Sequence, residues 1–571
     1  MRQTIGIGHQ DFEDIRLEHC FYVDKTDFIR EWWEYRDCVT LITRPRRFGK
    51  TLAMSMVEKF FSVKYAGRGD LFEGLAVWER EEYRRLQGSY PVISLSLANV
   101  KDTIYADARK KICQILENVY SQFYFLLDGE ILNPNEKRYF KSVTSDMDDP
   151  TATMALHQLS MFLSRFYGKK VIILLDEYDT PMQEAYVNGY WDEMTAFIRN
   201  LFNSTFKTNA FLLRAIMTGI TRVSRESVFS DLNNLEVVTT TSCKYASSFG
   251  FTEEEVFSAL DEYGLSDSRK LVKMWYDGFT FGLQKDIYNP WSIINFLEKK
   301  RPDIYWANTS SNQLVGKLIR QGSKTVKQDF EKLLSGQALE TKIDEQIVYN
   351  CLDTNENAIW SLLLASGYLK VKEIRTACSG GEEYPGSYRQ IYELVLTNLE
   401  VKFMFENMVK EWFAPGASDY SDFIRALLAD DVDAMNVYMN RVALQTFSFF
   451  DVGNRPSKEA EPERFYHGFV LGLMVELADR YVITSNRESG FGRYDIMLKS
   501  RRENQEGRDA IIIEFKVFNP AKEKDLGETV EKAKEQIAAR QYEAALEAEG
   551  IPADRIRRYG FAFCGKQVLI G

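Results

Sequence analysis

Histidine and paired cysteine are the first things missing. The 571 residues include four histidines, and the seven cysteines (Cys20, Cys38, Cys113, Cys243, Cys351, Cys378 and Cys564) are odd in number, scattered and never spaced as CxxC. That pattern argues against a zinc site or a disulfide framework. No apolar run approaches the roughly 18 uninterrupted residues of a membrane span. The stretch Met1 to Asp14 carries polar and acidic groups where a secretory leader needs a basic start and an apolar run. A cytoplasmic protein without a membrane partner is expected. A basic excess is missing too: 83 Asp and Glu against 72 Lys and Arg give a net charge of −11, so contact with nucleic acid must rely on a local cluster of cations. Nor is there an internal repeat; the Lys/Glu-rich stretch Glu528 to Glu549 reads as a solvated helix face with i,i+4 pairs.

What is present is ordinary globular material, 45% hydrophobic and 27% charged, which can bury large cores. At roughly 150 residues per domain the length implies three or four units. From Val39 to Ser242 short β-branched runs alternate with helical patterns: Val39 to Thr43, Pro91 to Leu97, Val171 to Leu175, Phe211 to Thr218 and Val237 to Thr241. Continuous apolar runs of this kind suit a parallel sheet covered on both faces. After Phe251 helical patterns are punctuated by aromatic turns, Trp275-Tyr-Asp-Gly278 and Tyr288-Asn-Pro-Trp291, and nothing alternates like a large sheet. Breaker-rich stretches at Phe413 to Asp419 and Asn454 to Pro462 are candidate linkers. The expected division is an α/β domain over 1–250, a helical lid or winged-helix-like region over 251–345, a helical connection over 346–455 and a last domain over 460–571. That last domain reads as a helix from Glu463 to Arg480, strands at 481–485, 494–499 and 510–517, a charged helix over 527–548, and strands at 559–564 and 567–570.

Arg44-Pro-Arg-Arg-Phe-Gly-Lys-Thr51 follows the first strand and opens a helical pattern. In a P-loop, backbone N–H groups wrap the phosphates, a lysine neutralises them and a Ser/Thr hydroxyl holds Mg²⁺. Gly49, Lys50 and Thr51 fit those roles, with Arg46, Arg47 and Phe48 forming the rest of the loop; Arg44 stands where the pattern usually has glycine. The strand Val171 to Leu175 ends in Asp176-Glu177, which suits one carboxylate on the metal and the next on an attacking water. A further strand ends in Thr218-Gly-Ile-Thr-Arg222, so Thr218 or Thr221 is a candidate γ-phosphate sensor. Arg222 and Arg225 are candidate arginine fingers, set against an ion-pair role. Asp179 suits either the metal shell or a turn before Pro181.

These stretches, together with Tyr22-Val-Asp-Lys-Thr26, Leu175-Asp-Glu-Tyr-Asp-Thr-Pro181, Phe249-Gly-Phe-Thr252 and Tyr288-Asn-Pro-Trp291, resemble the bacterial AAA-ATPase-like family, in which the first loop position is normally not glycine. The resemblance implies a P-loop fold with the sensor strand inserted between the first two motif strands, and binding of ATP or GTP with Mg²⁺, ATP being the family expectation.

In the last domain Asp495 opens one strand, and Ile511-Ile-Ile-Glu-Phe-Lys516 closes the next. Alternation puts Glu514 and Lys516 on one face. Two carboxylates and a lysine are what metal-assisted phosphodiester cleavage needs. The αβββα order and this D…ExK set resemble the PD-(D/E)XK nuclease superfamily, which implies Asp495 and Glu514 as metal ligands for Mg²⁺ or Mn²⁺. Glu463 is the candidate third carboxylate, Lys516 the catalytic cation, and Gln536 matches a metal-proximal glutamine of some exonuclease relatives. Those relatives carry a tyrosine four residues later, where this chain has Arg540. Lys499, Arg501, Arg502 and Arg508 are the candidate basic contacts. The expected protein is an ATP-binding, ATP-hydrolysing enzyme coupled to a metal-dependent nuclease acting on nucleic acid, DNA foremost, with homo-oligomerisation open. The alternative is a nucleotide-dependent switch whose nuclease-like domain recognises nucleic acid or a partner without cleaving it.

Overall fold

The structure is a computed structural model. It describes residues 3–222, 229, 232–307, 313–343, 356–377, 389–412, 420–446, 470, 474, 477, 480–485, 488–489, 492–493, 495–500, 510–520, 522–539, 546–547, 550–564 and 567–571. The chain divides into two compact units, Met1–Met404 and Phe405–Gly571.

The first unit is organised by a five-stranded parallel sheet. Its strands are β1 (Val39–Thr43), β2 (Val92–Ser96), β3 (Val171–Asp176), β4 (Leu212–Gly219) and β5 (Leu235–Val238), in the spatial order β2-β3-β4-β1-β5. β1 and β3 are buried along their whole length, as expected for strands with helices on both faces. The expected insertion of the fourth strand between the first and third is what the sheet has. Its registers align the strand ends: Thr43 pairs with Gly219, and Leu175 with Met217, so Asp176 ends beside Thr218.

The region after residue 250 is mainly helical, and it also carries two small antiparallel sheets. β6 (Phe251–Thr252), β7 (Phe279–Phe281) and β8 (Gln284–Tyr288) form one, in the order β6-β8-β7. β9 (Leu339–Thr341), β10 (Leu369–Ala377) and β11 (Arg389–Leu396) form the other, in the order β10-β11-β9. β10 escapes a period-two reading because its register shifts between Val371 and Glu373, which puts the charged residues out of step. At the start of helix Leu399–Trp412, Glu400 is fully buried. It accepts N–H bonds from Tyr305 (2.7 Å), Trp306 and Ala307 (3.3 Å), and the Ser292 hydroxyl (2.8 Å).

The second unit is a mixed sheet of β12 (Tyr481–Ser485), β15 (Ile496–Ser500), β16 (Ala510–Val517), β17 (Ile556–Cys564) and β18 (Gln567–Ile570), in that order, beside a ribbon of β13 (Glu488–Ser489) and β14 (Gly492–Arg493). β16 and β17 are parallel and are joined through helix Leu526–Ala539; the other pairings are antiparallel. Alternation sorts the faces of β16. Ile511, Ile513 and Phe515 share a core with Phe423, Leu427, Met435 and Met439, on helices Tyr420–Ala429 and Val432–Thr446, whereas Ile512 packs with Ile537 of helix Leu526–Ala539. The outer edge of β18 is closed by two asparagines one helical turn apart. Asn436 exchanges bonds with the backbone of Ile570 (2.8 and 2.8 Å), and Asn440 with that of Val568 (2.6 and 3.0 Å). Their amides stand in for a neighbouring strand and remove an edge open to aggregation.

Burial pushes the Glu400 carboxyl up to about 7, against the hydrogen bonds that favour its charged form. Below its unfolded value of 4.5 the protonated acid costs nothing extra, and that advantage is lost as pH rises through 7. Glu400→Gln keeps the acceptor for the three amides without the charge. The variant should therefore gain stability over wild type as pH rises from about 4.5 to about 8, by up to about 3 kcal/mol in all, most of it below pH 7. Urea midpoints over that range test this; a gap that does not widen with pH rules it out.

Candidate functional site

β1 ends in Thr43, and the chain turns through Arg44 to Phe48 into helix Lys50–Phe61. Gly49 caps that helix with φ +84°, a left-handed conformation that glycine adopts without strain. Arg47 is also left-handed, at φ +64°. Lys50 is buried, and its Nζ donates to the carbonyls of Arg44 and Pro45, at 2.9 Å each. These two bonds close the loop into a ring around the ammonium. Burial lowers the Lys50 pKa, opposed by the carboxylates of Glu177, Asp176 and Asp179.

Asp176, the last residue of β3, is buried and held at both oxygens. Thr51 Oγ1 donates to Oδ2 at 2.7 Å, and Thr218 Oγ1 donates to Oδ1. Burial still leaves its pKa above the ordinary carboxylate range. A hydroxyl and a carboxylate oxygen this close are hard donors suited to Mg²⁺. Glu177 follows with φ +55°; its N–H points to Thr218 Oγ1 (3.4 Å) and its carboxylate accepts from Thr180 Oγ1 (3.0 Å). Of the two sensor candidates, Thr218 touches Asp176. Thr221 instead joins Ile220 in binding Asp179, whose Oδ2 accepts both their N–H groups (2.9 Å each) and the Thr221 hydroxyl (3.0 Å). Asp179 thus ties the acidic loop to the end of β4, and its side chain does not cap the helix that starts before Pro181. Among the described residues no hydrogen bond joins Arg222 to Lys50, Asp176 or Glu177.

In the second unit Asp495 sits just before β15 and accepts the N–H of Phe515 at 2.8 Å. Glu514, 2% exposed, and Lys516 project to the opposite face of β16 from Phe515. Gln536 reaches both from helix Leu526–Ala539: its amide nitrogen donates to Glu514 Oε1, and its oxygen accepts from Lys516 Nζ at 2.6 Å. The helix comes this close because residue 560 on β17 is glycine. A Cβ there would lie 2.7 Å from the Val530 carbonyl and 3.0 Å from the Ala533 side chain. The two carboxylates offer oxygen donors that suit a divalent cation, with a cation, Lys516, beside them.

Residues 6–229 match the model of a family described as a predicted AAA-ATPase, AAA-ATPase-like, and residues 461–571 match the PD-(D/E)XK nuclease superfamily. The chain joins an AAA-ATPase-like domain to a PD-(D/E)XK nuclease superfamily domain. It is also similar to an uncharacterized protein in the vnfD 5′ region of Azotobacter chroococcum mcd 1, 25% identical over 403 residues that make up 70% of this chain and 69% of the relative. The compact unit that contains the nuclease-superfamily match begins earlier, at Phe405, and takes in helices Tyr420–Ala429 and Val432–Thr446. Among the described residues no helix is long and apolar enough to cross a membrane.

Contacts that the loop motif does not encode surround the P-loop of the AAA-ATPase-like domain. Phe48 is buried against Phe279 and Phe281, at 4.8 and 5.4 Å between ring centres. The Arg46 carbonyl accepts from Asn289 Nδ2 (3.2 Å), and the Arg46 guanidinium reaches Gln183 (3.4 Å). The Arg47 guanidinium lies over the Trp291 ring at 4.4 Å. The Tyr288-Asn-Pro-Trp291 and Gly278-Phe-Thr-Phe281 stretches therefore brace the loop from outside. Their sequence signal is the aromatic turn itself, which says nothing of its partner. In the nuclease domain, Glu463, Arg501, Arg502, Arg508 and Arg540 lie outside the described residues, as does Arg225 of the first unit.

Thr218 generates a direct test. Thr218→Val keeps the shape and removes the hydroxyl, leaving a buried carboxylate oxygen of Asp176 unsatisfied; the expected loss is about 1–3 kcal/mol. Thr218→Ser should retain most of the stability. Equal urea midpoints for wild type and Thr218→Val would contradict the bridging role.

Proposed function

We propose that the AAA-ATPase-like domain binds and hydrolyses Mg²⁺-ATP, and that its nucleotide state controls a metal-dependent nuclease in the carboxy-terminal domain that acts on nucleic acid, DNA foremost. The observation that carries the first half is the joint arrangement of Lys50 within its loop and Asp176 bonded to both Thr51 and Thr218. In this reading backbone N–H groups from Arg46 to Thr51 and the Lys50 ammonium hold the β- and γ-phosphates. Thr51 and Asp176 hold Mg²⁺, Glu177 orients the attacking water, and Thr218 senses the γ-phosphate through its bond to Asp176. Arg222 remains a candidate for the transition-state charge.

The nuclease half rests on the convergence of Glu514, Lys516 and Gln536, with Asp495 fixed beside them by the Phe515 N–H. Asp495 and Glu514, with Glu463 as third carboxylate, would hold Mg²⁺ or Mn²⁺, which supplies Lewis-acid polarisation of the phosphate and a more acidic bound water. Lys516 then orients that water or offsets the charge that develops on the phosphate, and Gln536 keeps the Lys516 ammonium and the Glu514 carboxylate in register.

Lys50→Ala should weaken ATP binding at least about tenfold, since it removes a buried cation from the phosphates. Glu177→Gln should keep binding and slow hydrolysis by about 10²–10⁴. Calorimetry and phosphate release measure the two effects, and unchanged ATP affinity in Lys50→Ala defeats the assignment.

Asp495→Asn should abolish metal-dependent cleavage, because an amide is a poor ligand for a hard cation. Lys516→Ala should retain metal affinity and slow the chemistry. Linear, circular and single-stranded DNA and RNA, incubated with and without ATP and each metal, provide the assay. Wild-type protein that binds these substrates in a nucleotide-dependent way and cuts none of them is a switch rather than a nuclease.

A further inference from the structure

Arg44 holds the position that glycine opens in the usual phosphate-binding loop, and its side chain is fully buried. Nη1 donates to the carbonyls of Thr43 (3.0 Å) and Thr239 (2.6 Å), and Nη2 to that of Lys244 (3.4 Å). Nε is buried without an acceptor. Two aromatic faces cover the guanidinium, Phe281 at 4.4 Å and Phe249 at 6.0 Å. Its neighbours are thus carbonyl oxygens and rings; among the described residues no carboxylate contacts it. Burial alone presses its pKa down, to about 9, which leaves it charged at neutral pH.

Lys50 differs in this respect. It is also buried, yet Glu177, Asp176 and Asp179 oppose the cost of its charge. The two cations share one residue of backbone, because the Arg44 carbonyl is an acceptor for Lys50 Nζ. A buried cation without a counter-charge is costly in a chain that could have placed an apolar side chain there. Its burial is explained if the missing negative charge arrives with the ligand.

We infer that Arg44 is a second cation of the phosphate site, a buried charge whose counter-charge is the polyphosphate of the bound nucleotide, so that it sets preference by phosphate number. The inference rests on the nucleotide-binding reading above and deepens it. Arg44 acts through the loop and at a distance, in a medium that screens charge poorly, and so its contribution scales with the charge of the ligand.

The test is calorimetric titration of the full chain with ATP, ADP and AMP at fixed ionic strength, using wild type, Arg44→Lys, Arg44→Met and Lys50→Ala. Arg44→Met should weaken ATP by about tenfold, ADP less and AMP little, while Arg44→Lys keeps ATP affinity within about threefold. Arg44→Gln retains two N–H donors without the charge and replaces the methionine variant if that one does not fold; the same graded loss is expected of it. A loss equal for all three ligands, or no loss, with Lys50→Ala still defective, makes Arg44 a scaffold for the loop and overturns the inference alone. Wild-type affinity in Lys50→Ala removes the nucleotide reading, and the inference with it.

Discussion

Asp176 is a carboxylate at the end of a fully buried strand, and such a group survives there only if its oxygens are occupied. One partner is a hydroxyl at the start of helix Lys50–Phe61, and the other is a hydroxyl near the end of β4. Those partners demand that β4 lie between β1 and β3, with the three carboxyl ends in register. The sheet order and the loop that follows β1 are both consistent with that demand. Asp179 makes a second tie one turn later, through one oxygen that binds the backbone of Ile220 and Thr221 and so fixes the chain leading to Arg222.

The nuclease-superfamily unit meets a similar problem by another route. Glu514 is buried on a strand face that must also accommodate Lys516, and the polar partner for both comes from a helix that has to approach β17 closely. Gly560 makes that approach possible, and Ala533 opposite keeps it narrow. A fold feature far from the chemistry in sequence thus sets the position of Gln536. The opposite face of β16 is apolar and packs on two helices that precede the nuclease-superfamily match, so the strand has an apolar side and a side carrying Glu514 and Lys516 that differ by one residue of register.

Much of this was legible in the residues. Continuous apolar runs ending at Thr43, before the Arg44 to Thr51 loop, and at Asp176-Glu177 and Thr218 marked the strands and the polar groups at their ends, and the alternation in Ile511 to Lys516 separated the two faces. β10 was illegible because a bulge breaks its period, and the outer brace of the P-loop because Asn289, Trp291, Phe279 and Phe281 meet it only in three dimensions. Sequence spacing placed Thr218 and Thr221 equally well as sensors. Only the register of β4 against β3 separates them, since it puts Thr218, and not a residue three positions on, against the carboxylate. Asp179 was likewise undecided, because a turn and a metal shell require the same residue type.

The buried charges divide by whether the protein itself answers them. Lys50, Asp176 and Asp179 are answered by neighbours within the loop and the ends of β3 and β4. Glu400 is answered by three successive amides and a hydroxyl, which suits a carboxylate whose role is to tie the 305–307 segment to a helix start. Arg44 is held by carbonyl oxygens and rings and, unlike Lys50, has among the described residues no carboxylate that opposes the cost of its charge; it is also the one that departs from the ordinary loop pattern. A purely architectural side chain at that position could make the same packing against Phe249 and Phe281 without a charge, as methionine would. The guanidinium therefore adds a property that packing does not require, and the property it adds is positive potential at the root of the loop where an anion is expected to bind.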